Sequence, residues 1–284
     1  MTTTAACGAC ERDGPALLRF SAAGYRIVRC VGCGASYTEL GARAFDAAAL
    51  YGEAYFEGGQ AVSYAGYGTS APVLEREFSR SLEVLRRRVP GGRLLEVGAA
   101  YGVFLRVAAR YFTVRGLDVS VAAAATARRG GLDVRVLDLC AETEPDLDGP
   151  WDAVVMLDTI EHLRRPLRAL RRLHAATRPG GVLLLTTGDA RSIMARVCGR
   201  YWRLMTPPEH LFFFDPASLT RLLRAADFDV IRLDHPSKVV PLGLIVHRLL
   251  RRWAPEGGLA RRLVKVGIPL NLLDTMRIVA VRRA

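Results

Sequence analysis

The stretch Arg93–Leu105 limits the possible folds more than any other part of this 284-residue chain. Its residue types predict a short apolar strand, a turn of small residues from Gly98 to Ala100, and the start of a helix. Small residues at such a turn let the backbone pass close to a ligand, because at most a methyl group stands in the way. The stretch therefore indicates the carboxyl edge of an open α/β sheet, where ligands bind in such folds.

A second predicted strand, Thr113–Asp118, ends in a carboxylate twenty residues after Gly98. A carboxylate at that distance suits a ribose diol, because it can accept hydrogen bonds from both hydroxyls. A dinucleotide would require the spacing G-x-G-x-x-G, whereas the chain has Gly98-x-Ala100-x-Gly102. Glu96 would repel a pyrophosphate but suits a cofactor that carries an ammonium and a sulfonium.

These residues resemble the glycine-rich motif of the class I S-adenosylmethionine-dependent methyltransferases, written E/D-x-G-x-G-x-G. Glu96, Gly98 and Gly102 match this motif, and Ala100 replaces its middle glycine. The resemblance continues in register from about residue 70 to the end of the chain. It implies an α/β fold with a seven-stranded Rossmann-like sheet, S-adenosylmethionine as the cofactor, and these four residues at its methionine end.

A third predicted strand, Leu132–Asp138, also ends in a carboxylate. The resemblance implies that Asp118 binds the ribose and that Asp138, with Leu139 beside it, binds the adenine. Alternatively, Asp138 is only a solvated residue at the end of its strand, and Glu142 would then bind the adenine. These residues predict a nucleoside site along three strand ends.

The fourth predicted strand, Trp151–Asp158, is apolar almost throughout, as a strand buried on both faces should be. The sequence Thr-Ile-Glu-His-Leu that follows it resembles the family motif Glu-His-Leu/Val, which lines the cofactor pocket. Asp158 and His162 are therefore expected to contact methionine or ribose atoms. The alternative for His162 is a residue that only begins a helix.

A turn and a fifth predicted strand cover Arg178–Thr187. The loop after this strand carries the residues expected to perform the chemistry. Pro207 and Pro208 keep this loop out of a helix, and an imidazole held in such a loop suits a general base. Similar small-molecule methyltransferases carry Glu-His here, including sugar-modifying ones with a four-cysteine zinc domain. The resemblance implies that His210 is the base and Glu209 its partner. Alternatively, His210 only fixes the loop. Neighbouring side chains on an extended segment point in opposite directions, which is an argument against Glu209 and His210 both reaching one substrate.

Four cysteines follow the spacing C-x2-C-x19-C-x2-C: Cys7, Cys10, Cys30 and Cys33. Two such pairs suit a tetrahedral zinc ion, so residues 1–44 are predicted to form a structural zinc-ribbon-like module. Two unrelated pairs of buried thiols and an iron site are alternatives. A disulfide framework would need an oxidising compartment.

Residues 45–70 are rich in aromatic residues and glycine. They predict either an irregular linker or a lid, in which Tyr64 and Tyr67 would contact the sulfonium by cation–π attraction. Residues 71–284 would then be the methyltransferase domain. It would include a basic, helical insertion at about 238–270 and a last strand, antiparallel and inserted beside strand six. We expect this insertion to pack over the sheet edge, against a partner subunit or on a membrane surface.

The formal net charge of +12 raises the question of a nucleic-acid partner. Nearly all of it is arginine, with lysine only at Lys238 and Lys265, which favours a bias in coding over an anionic partner. A run of eighteen uncharged apolar residues is absent from the sequence, so a membrane-spanning helix is not predicted. The first residues do not resemble a signal peptide, and a cytoplasmic enzyme is expected.

The sequence therefore predicts methyl transfer from S-adenosylmethionine to a small-molecule acceptor. The acceptor atom would be oxygen or carbon, and the substrate a natural product or a sugar-type metabolite. An rRNA or tRNA methyltransferase with the zinc module as an RNA clamp, a sugar-nucleotide C-methyltransferase and a non-catalytic S-adenosylmethionine-binding protein are the alternatives. Against RNA N-methylation, the motif Asn/Asp-Pro-Pro-Tyr/Phe is absent after strand four.

Overall fold

An antiparallel sheet forms the first part of the chain in the computed structural model, which describes residues 2–41, 45–52, 71–241 and 267–283. Its first four strands are β1 (Thr2–Cys7), β2 (Arg12–Ala22), β3 (Tyr25–Cys30) and β4 (Ser36–Glu39). Consecutive strands from β1 to β4 pair with each other. The two cysteine pairs lie where β1 and β3 end and turn. A short helix, α1 (Ala47–Leu50), comes next.

Helices and strands alternate over residues 71–136 and again over residues 151–234. The helices are α2 (Ala71–Arg86), α3 (Val103–Ala108), α4 (Val121–Arg129), α5 (Pro166–Ala176), α6 (Ile193–Cys198) and α7 (Pro216–Ala225). The strands are β5 (Gly92–Val97), β6 (Phe112–Asp118), β7 (Val134–Val136), β8 (Trp151–Leu157), β9 (Thr177–Gly188), β10 (Phe212–Phe213), β11 (Phe228–Asp234), β12 (Lys238–Pro241), β13 (Gly267–Leu270) and β14 (Thr275–Arg282). Two 3₁₀ turns cover Ile160–His162 and Gly199–Tyr201.

Seven strands form one sheet in the order β11-β14-β9-β8-β5-β6-β7. The pairs from β9 to β7 are parallel, and α3, α4 and α5 form the crossovers from β5 to β6, from β6 to β7 and from β8 to β9. The last strand, β14, is antiparallel to both β9 and β11 and lies between them. The predicted α/β fold with a seven-stranded sheet is confirmed, including the inserted antiparallel strand.

The sheet is buried on both faces. The four central residues of β8, from Ala153 to Met156, are all 0% exposed, which explains the unbroken apolar run in the sequence. Two helices begin with a side-chain cap. Ser120 accepts a hydrogen bond from the Ala123 amide at the start of α4, and Asp215 forms a capping box with Ser218 at the start of α7.

The N-terminal sheet and the large sheet share one hydrophobic core. Phe212 and Phe214 lie in the same buried cluster as Cys7, Cys30 and the sheet residue Met156. β10 pairs with β4 in antiparallel register, with Phe212 opposite Tyr37, and so becomes the fifth strand of the N-terminal sheet. The loop after β9 is therefore joined to the N-terminal module by backbone hydrogen bonds.

The predicted helical insertion at about 238–270 is wrong at both of its ends. Residues 238–241 and 267–270 are the strands β12 and β13, which pair with each other in antiparallel register. The β-branched pair at 239 and 240 favours a strand, and the proline at 241 suits the end of one. Residues 242–266 lie outside the described residues, and so do Tyr64 and Tyr67.

Among the residues that the structure describes, none of the helices is long and apolar enough to cross a membrane.

Candidate functional site

The turn after β5 has the backbone conformation that a close ligand approach requires. Gly98 and Gly102 have φ of 76° and 73°, and a Cβ on Gly98 would lie 2.5 Å from the Thr159 hydroxyl oxygen. Ala100 has φ of 47°, a left-handed conformation that costs a residue with a Cβ about 1–2 kcal/mol. This strain explains in physical terms why the family motif carries a glycine at that position.

Glu96 is a buried carboxyl group at the end of β5. It is 3% exposed, and its Oε2 atom has no hydrogen-bond partner among the described residues. Burial, followed by the negative charge of Asp118, raises the pKa of Glu96 well above its usual range. A buried carboxyl oxygen without a partner fits a cationic ligand, because a positive charge would lower the cost of ionising the group.

Asp118, at the end of β6, connects this turn to the next one. Its Oδ2 atom accepts a hydrogen bond from the Ala100 amide and its Oδ1 atom accepts one from the Ser120 amide, both at 2.8 Å. Burial raises the pKa of Asp118, while the bonds from Ser120 and Ala100 oppose this effect. Because a carboxylate has about four acceptor positions, two stay available for a ribose diol.

Asp138 and Leu139 lie beyond the end of β7, because this strand ends at Val136 and not at Asp138 as predicted. The Asp138 Oδ1 atom accepts a hydrogen bond from the Cys140 amide at 2.7 Å. Leu139 is 2% exposed, so its side chain belongs to the core next to this carboxylate. Together with the turn and Asp118, the strand ends hold acidic groups where the resemblance would place S-adenosylmethionine, and the residues present fit this cofactor.

Asp158 has a partner that the sequence did not indicate. The Lys238 Nζ atom lies 2.5 Å from Asp158 Oδ2 and 2.9 Å from a Glu77 carboxylate oxygen. The Thr186 hydroxyl donates to Asp158 Oδ1 at 2.8 Å. Burial alone would raise the pKa of Asp158, but the charge of Lys238 keeps it below its usual value. The contact of Asp158 with methionine or ribose atoms stays a prediction.

His162 and His210 lie side by side, although they are 48 positions apart in the chain. Their ring centroids are 4.8 Å apart in an edge-to-face arrangement. The His210 Nδ1 atom lies 2.7 Å from the Leu204 carbonyl oxygen, and the His162 Nδ1 atom lies 2.7 Å from the Glu209 carbonyl oxygen. Carbonyl oxygens only accept, so both rings carry their proton on Nδ1 and keep a lone pair on Nε2.

Burial, followed by repulsion from His162, lowers the pKa of His210 to about 3. Burial also lowers the pKa of His162. Both imidazoles are therefore uncharged at neutral pH. The loop is bent, since the His210 amide donates to the Thr206 carbonyl oxygen at 3.0 Å. Glu209 enters this arrangement through its carbonyl group, and its proposed role as the partner of His210 stays a prediction.

Glu161 completes this cluster. It is 3% exposed, and its Oε2 atom has no hydrogen-bond partner within the described ranges. Burial, followed by the negative charge of Asp158, raises the pKa of Glu161 to about 8. The donor atoms of Glu161, His162 and His210 all lie within 4.8 Å of one another. At this spacing the three groups could share a proton or hold a cation.

Four residues of the site escaped the sequence analysis as candidates: Thr38, Tyr51, Glu161 and Lys238. The Tyr51 hydroxyl donates to the Glu209 carbonyl oxygen at 2.9 Å and lies 2.8 Å from His162 Nδ1. Of the four, Glu161 had a signal, since it stands directly before His162 in the family motif. Thr38, Tyr51 and Lys238 reach the site only through contacts between distant parts of the chain.

The four predicted cysteine ligands come together in the N-terminal module. Their sulfur atoms lie within 4.8 Å of one another, and two sulfur pairs, Cys7–Cys33 and Cys10–Cys30, are 3.7 and 3.9 Å apart. Four sulfurs at about 2.3 Å from a tetrahedral zinc ion would be about 3.8 Å apart. The described cysteines are free thiols, so these four could hold such an ion.

Comparisons with known proteins agree with this geometry. A family described as a methyltransferase domain matches residues 73–233, which is more than half of the chain. A ubiquinone biosynthesis O-methyltransferase of Xanthomonas campestris pv. campestris is 30% identical over 157 residues, covering 51% of this chain and 66% of that protein. Another, from Alkalilimnicola ehrlichii, is 30% identical over 149 residues, covering 48% and 60%. The matches thus span less than two thirds of these curated relatives.

The solved structures show the same fold. A protein from Bacillus halodurans C-125, described provisionally as a methyltransferase, has a TM-score of 0.55 at 15% identity. The match covers 74% of this chain and 100% of that one. The family match, the strand order and the geometry of the cofactor turn lead to one conclusion: the chain belongs to the class I S-adenosylmethionine-dependent methyltransferases.

Proposed function

We propose that this chain transfers a methyl group from S-adenosylmethionine to a small-molecule acceptor, with His210 as the general base. The observation that carries the proposal is the pair of neutral imidazoles, His162 and His210, beside the buried carboxyl group of Glu161. The named activity of the relatives favours a hydroxyl acceptor over a carbon acceptor. The acceptor would be a natural product or a sugar-type metabolite.

The protein residues would align the acceptor and take its proton. When bound, the cofactor supplies a methyl group on a positively charged sulfur. The Leu204 carbonyl group fixes the His210 tautomer, so Nε2 would take the O–H proton of the acceptor. The new carbon–oxygen bond would replace the carbon–sulfur bond of the cofactor, with neutral S-adenosylhomocysteine as the leaving group. Because the pKa of His210 is only about 3, the ring is always unprotonated at neutral pH but is a weak base. Of the two proposed acceptor classes, a natural product with an acidic phenol or enol is therefore favoured over a sugar hydroxyl.

The cofactor roles belong to the same proposal. Glu96 and the turn with Gly98, Ala100 and Gly102 would hold the methionine end. Asp118 would hold the ribose, and the adenine would lie at Asp138 and Leu139. Asp158 and His162 would line the pocket, and Glu209 would help position the base. The free acceptor positions of Asp118 and the orphaned carboxyl oxygen of Glu96 support this arrangement.

The N-terminal module would hold one structural zinc ion through Cys7, Cys10, Cys30 and Cys33. The sulfur spacing supports this assignment. The proposed domains are residues 1–44 for the module, 45–70 for a lid or linker, and 71–284 for the methyltransferase domain. Free thiols fit a reducing compartment such as the cytoplasm.

Methyl transfer from tritiated S-adenosylmethionine to a panel of catechols, phenols, sugars and tRNA tests this function. The proposal expects label on a hydroxylated small molecule and a loss of at least about 100-fold in kcat for His210→Gln with unchanged cofactor affinity. Label on tRNA, with salt-dependent retention, would favour the RNA enzyme instead. Cofactor binding without any transfer across a wide panel would favour a non-catalytic protein.

A further inference from the structure

The loop that carries His210 is held by residues from the beginning of the chain. Three consecutive carbonyl groups of this loop, at residues 209, 210 and 211, accept hydrogen bonds from N-terminal donors. The Thr38 hydroxyl donates to the His210 carbonyl oxygen and the Thr38 amide donates to the Leu211 carbonyl oxygen, both at 2.8 Å. The Tyr51 hydroxyl donates to the Glu209 carbonyl oxygen. Thr38 thus precedes His210 by 172 positions and donates to the carbonyl groups of two successive peptide units, at His210 and at Leu211.

The opposite side of the peptide between His210 and Leu211 faces the turn after β8. The Leu211 amide donates to the Glu161 carbonyl oxygen at 2.8 Å. The backbone at His210 therefore lies between Thr38 of the N-terminal module and Glu161 of the cluster. Moving either support would change the distance between the two imidazoles, since His162 follows Glu161 directly in the chain.

Thr38 is suited to fix a position and not merely to fill space. It is 5% exposed, so its bond to the His210 carbonyl oxygen is protected from water. Its β-branched side chain has few rotamers, which keeps the hydroxyl in one place. β4, which contains it, pairs on one side with β3 and on the other with β10. The position of the hydroxyl is therefore set by the whole N-terminal sheet.

The cysteine turns contact the methyltransferase domain as well. A Cβ on Gly8, between the first two cysteines, would lie 2.2 Å from the carbonyl oxygen of Arg164, two residues after His162. From the second turn, the Cys33 carbonyl group accepts a hydrogen bond from the Arg221 guanidinium of α7 at 2.9 Å. The module is therefore packed against the segments on both sides of the imidazole pair.

We propose that Thr38 is a positioning residue for His210, and that the four-cysteine module is thereby a working part of the acceptor site. This inference rests on the proposed function, in which His210 takes the proton of the acceptor. The Thr38 hydroxyl holds the His210 carbonyl group, and the ring of His210 follows the position of its backbone. In the proposed function, Glu96, Asp118 and Asp138 hold the cofactor near the ends of β5, β6 and β7, so loss of this contact should affect proton removal from the acceptor more than cofactor affinity.

Thr38→Val and Thr38→Ser form the matched pair that tests the proposal in the full-length protein. Valine has the shape of threonine without the hydroxyl, and serine keeps the hydroxyl. Thr38→Val should lower kcat for the best acceptor of the panel by about 10- to 100-fold, as expected for a misplaced reacting group, with unchanged cofactor affinity. Thr38→Ser should stay within about threefold of the wild type. Thr113→Val, at an exposed position of β6, is the control for the same chemical change.

Two spectroscopic measurements distinguish positioning from a loss of stability. Long-range ¹H–¹⁵N NMR should show the Nδ1–H tautomer of His210 in the wild type and a mixture of tautomers in Thr38→Val. Hydrogen exchange should accelerate in residues 206–214 but not in residues 94–105. If Thr38→Val does not fold, Tyr51→Phe, which removes the bond to the Glu209 carbonyl oxygen, should shift the same signals in the same direction.

Three results would overturn the inference: an unchanged His210 spectrum in Thr38→Val, equal losses in Thr38→Val and Thr38→Ser, or acceleration of exchange throughout the chain. A wild type that binds S-adenosylmethionine but methylates no acceptor would refute the proposed function alone. In that case the tautomer and the exchange rates still decide whether Thr38 positions His210.

Discussion

Replacing Asp118 with asparagine should weaken cofactor binding by a predictable amount. The carboxylate already accepts bonds from the Ala100 and Ser120 amides, so about two acceptor positions stay available for the ribose hydroxyls. Asparagine keeps the shape but offers one oxygen instead of two, and its NH₂ group would face an amide donor. One hydrogen bond to a charged group is worth about 1.5–3 kcal/mol, which corresponds to a loss of about 10- to 150-fold in affinity.

Isothermal titration calorimetry measures this loss directly. Because both compounds share the ribose, S-adenosylmethionine and S-adenosylhomocysteine should be weakened to a similar extent. Asp133→Asn is the matched control, because Asp133 is half exposed and pairs with Arg115 away from the turn. Wild-type affinity of Asp118→Asn for both compounds, or an equal loss in Asp133→Asn, would refute the assignment of Asp118 to the ribose.

Other changes have equally defined outcomes. Since burial raises the pKa of Glu96, this residue binds a proton more tightly in the folded chain, and its contribution makes stability fall as pH rises above about 4.5. Glu96→Gln should remove this pH dependence from the free energy of unfolding measured in urea. A variant with the same pH dependence as the wild type would contradict the burial argument. A cationic cofactor should also release this proton, so the calorimetric binding heat should vary with the ionisation enthalpy of the buffer for the wild type but not for Glu96→Gln. Metal analysis should find one zinc ion per chain, and Cys33→Ser should lower the melting temperature. If the protein without metal were as stable as the protein with metal, a structural metal would be excluded. Ala100→Gly should raise the free energy of unfolding by up to about 1 kcal/mol, because glycine relieves the left-handed strain, and a loss of stability would show that no strain is present.

Local patterns in the sequence were sufficient to predict the sheet and the cofactor turn. Apolar runs with small-residue turns mark parallel strands, and the positive φ angles at Gly98 and Gly102 are of the kind that glycine signals. Ser120 and Asp215 each stand directly before the helix that they cap, so the sequence next to each helix contains the signal for its cap. Each of these features is set by neighbours in the chain, so the sequence alone contains the signal.

The contacts that position His210 could not be predicted in this way. Thr38 and Tyr51 reach the loop across 172 and 158 positions, and Lys238 reaches Asp158 across 80. No periodicity or spacing marks such residues, because their role depends on how two sheets pack against each other. The strand pair β12–β13 was missed because each of its strands has only four residues. Such a short strand shows little alternation of its own, and the helix-like spacing of apolar residues between the two strands predicted a helix instead.

The most direct test of the account is a calorimetric titration of the full-length protein with S-adenosylmethionine, followed by competition with S-adenosylhomocysteine and with NAD. The account predicts one cofactor molecule per chain, displaced by S-adenosylhomocysteine and unaffected by NAD. Binding of NAD in its place, or no binding of S-adenosylmethionine at millimolar concentration, would contradict the claim that acidic strand ends form a site for a cationic nucleoside.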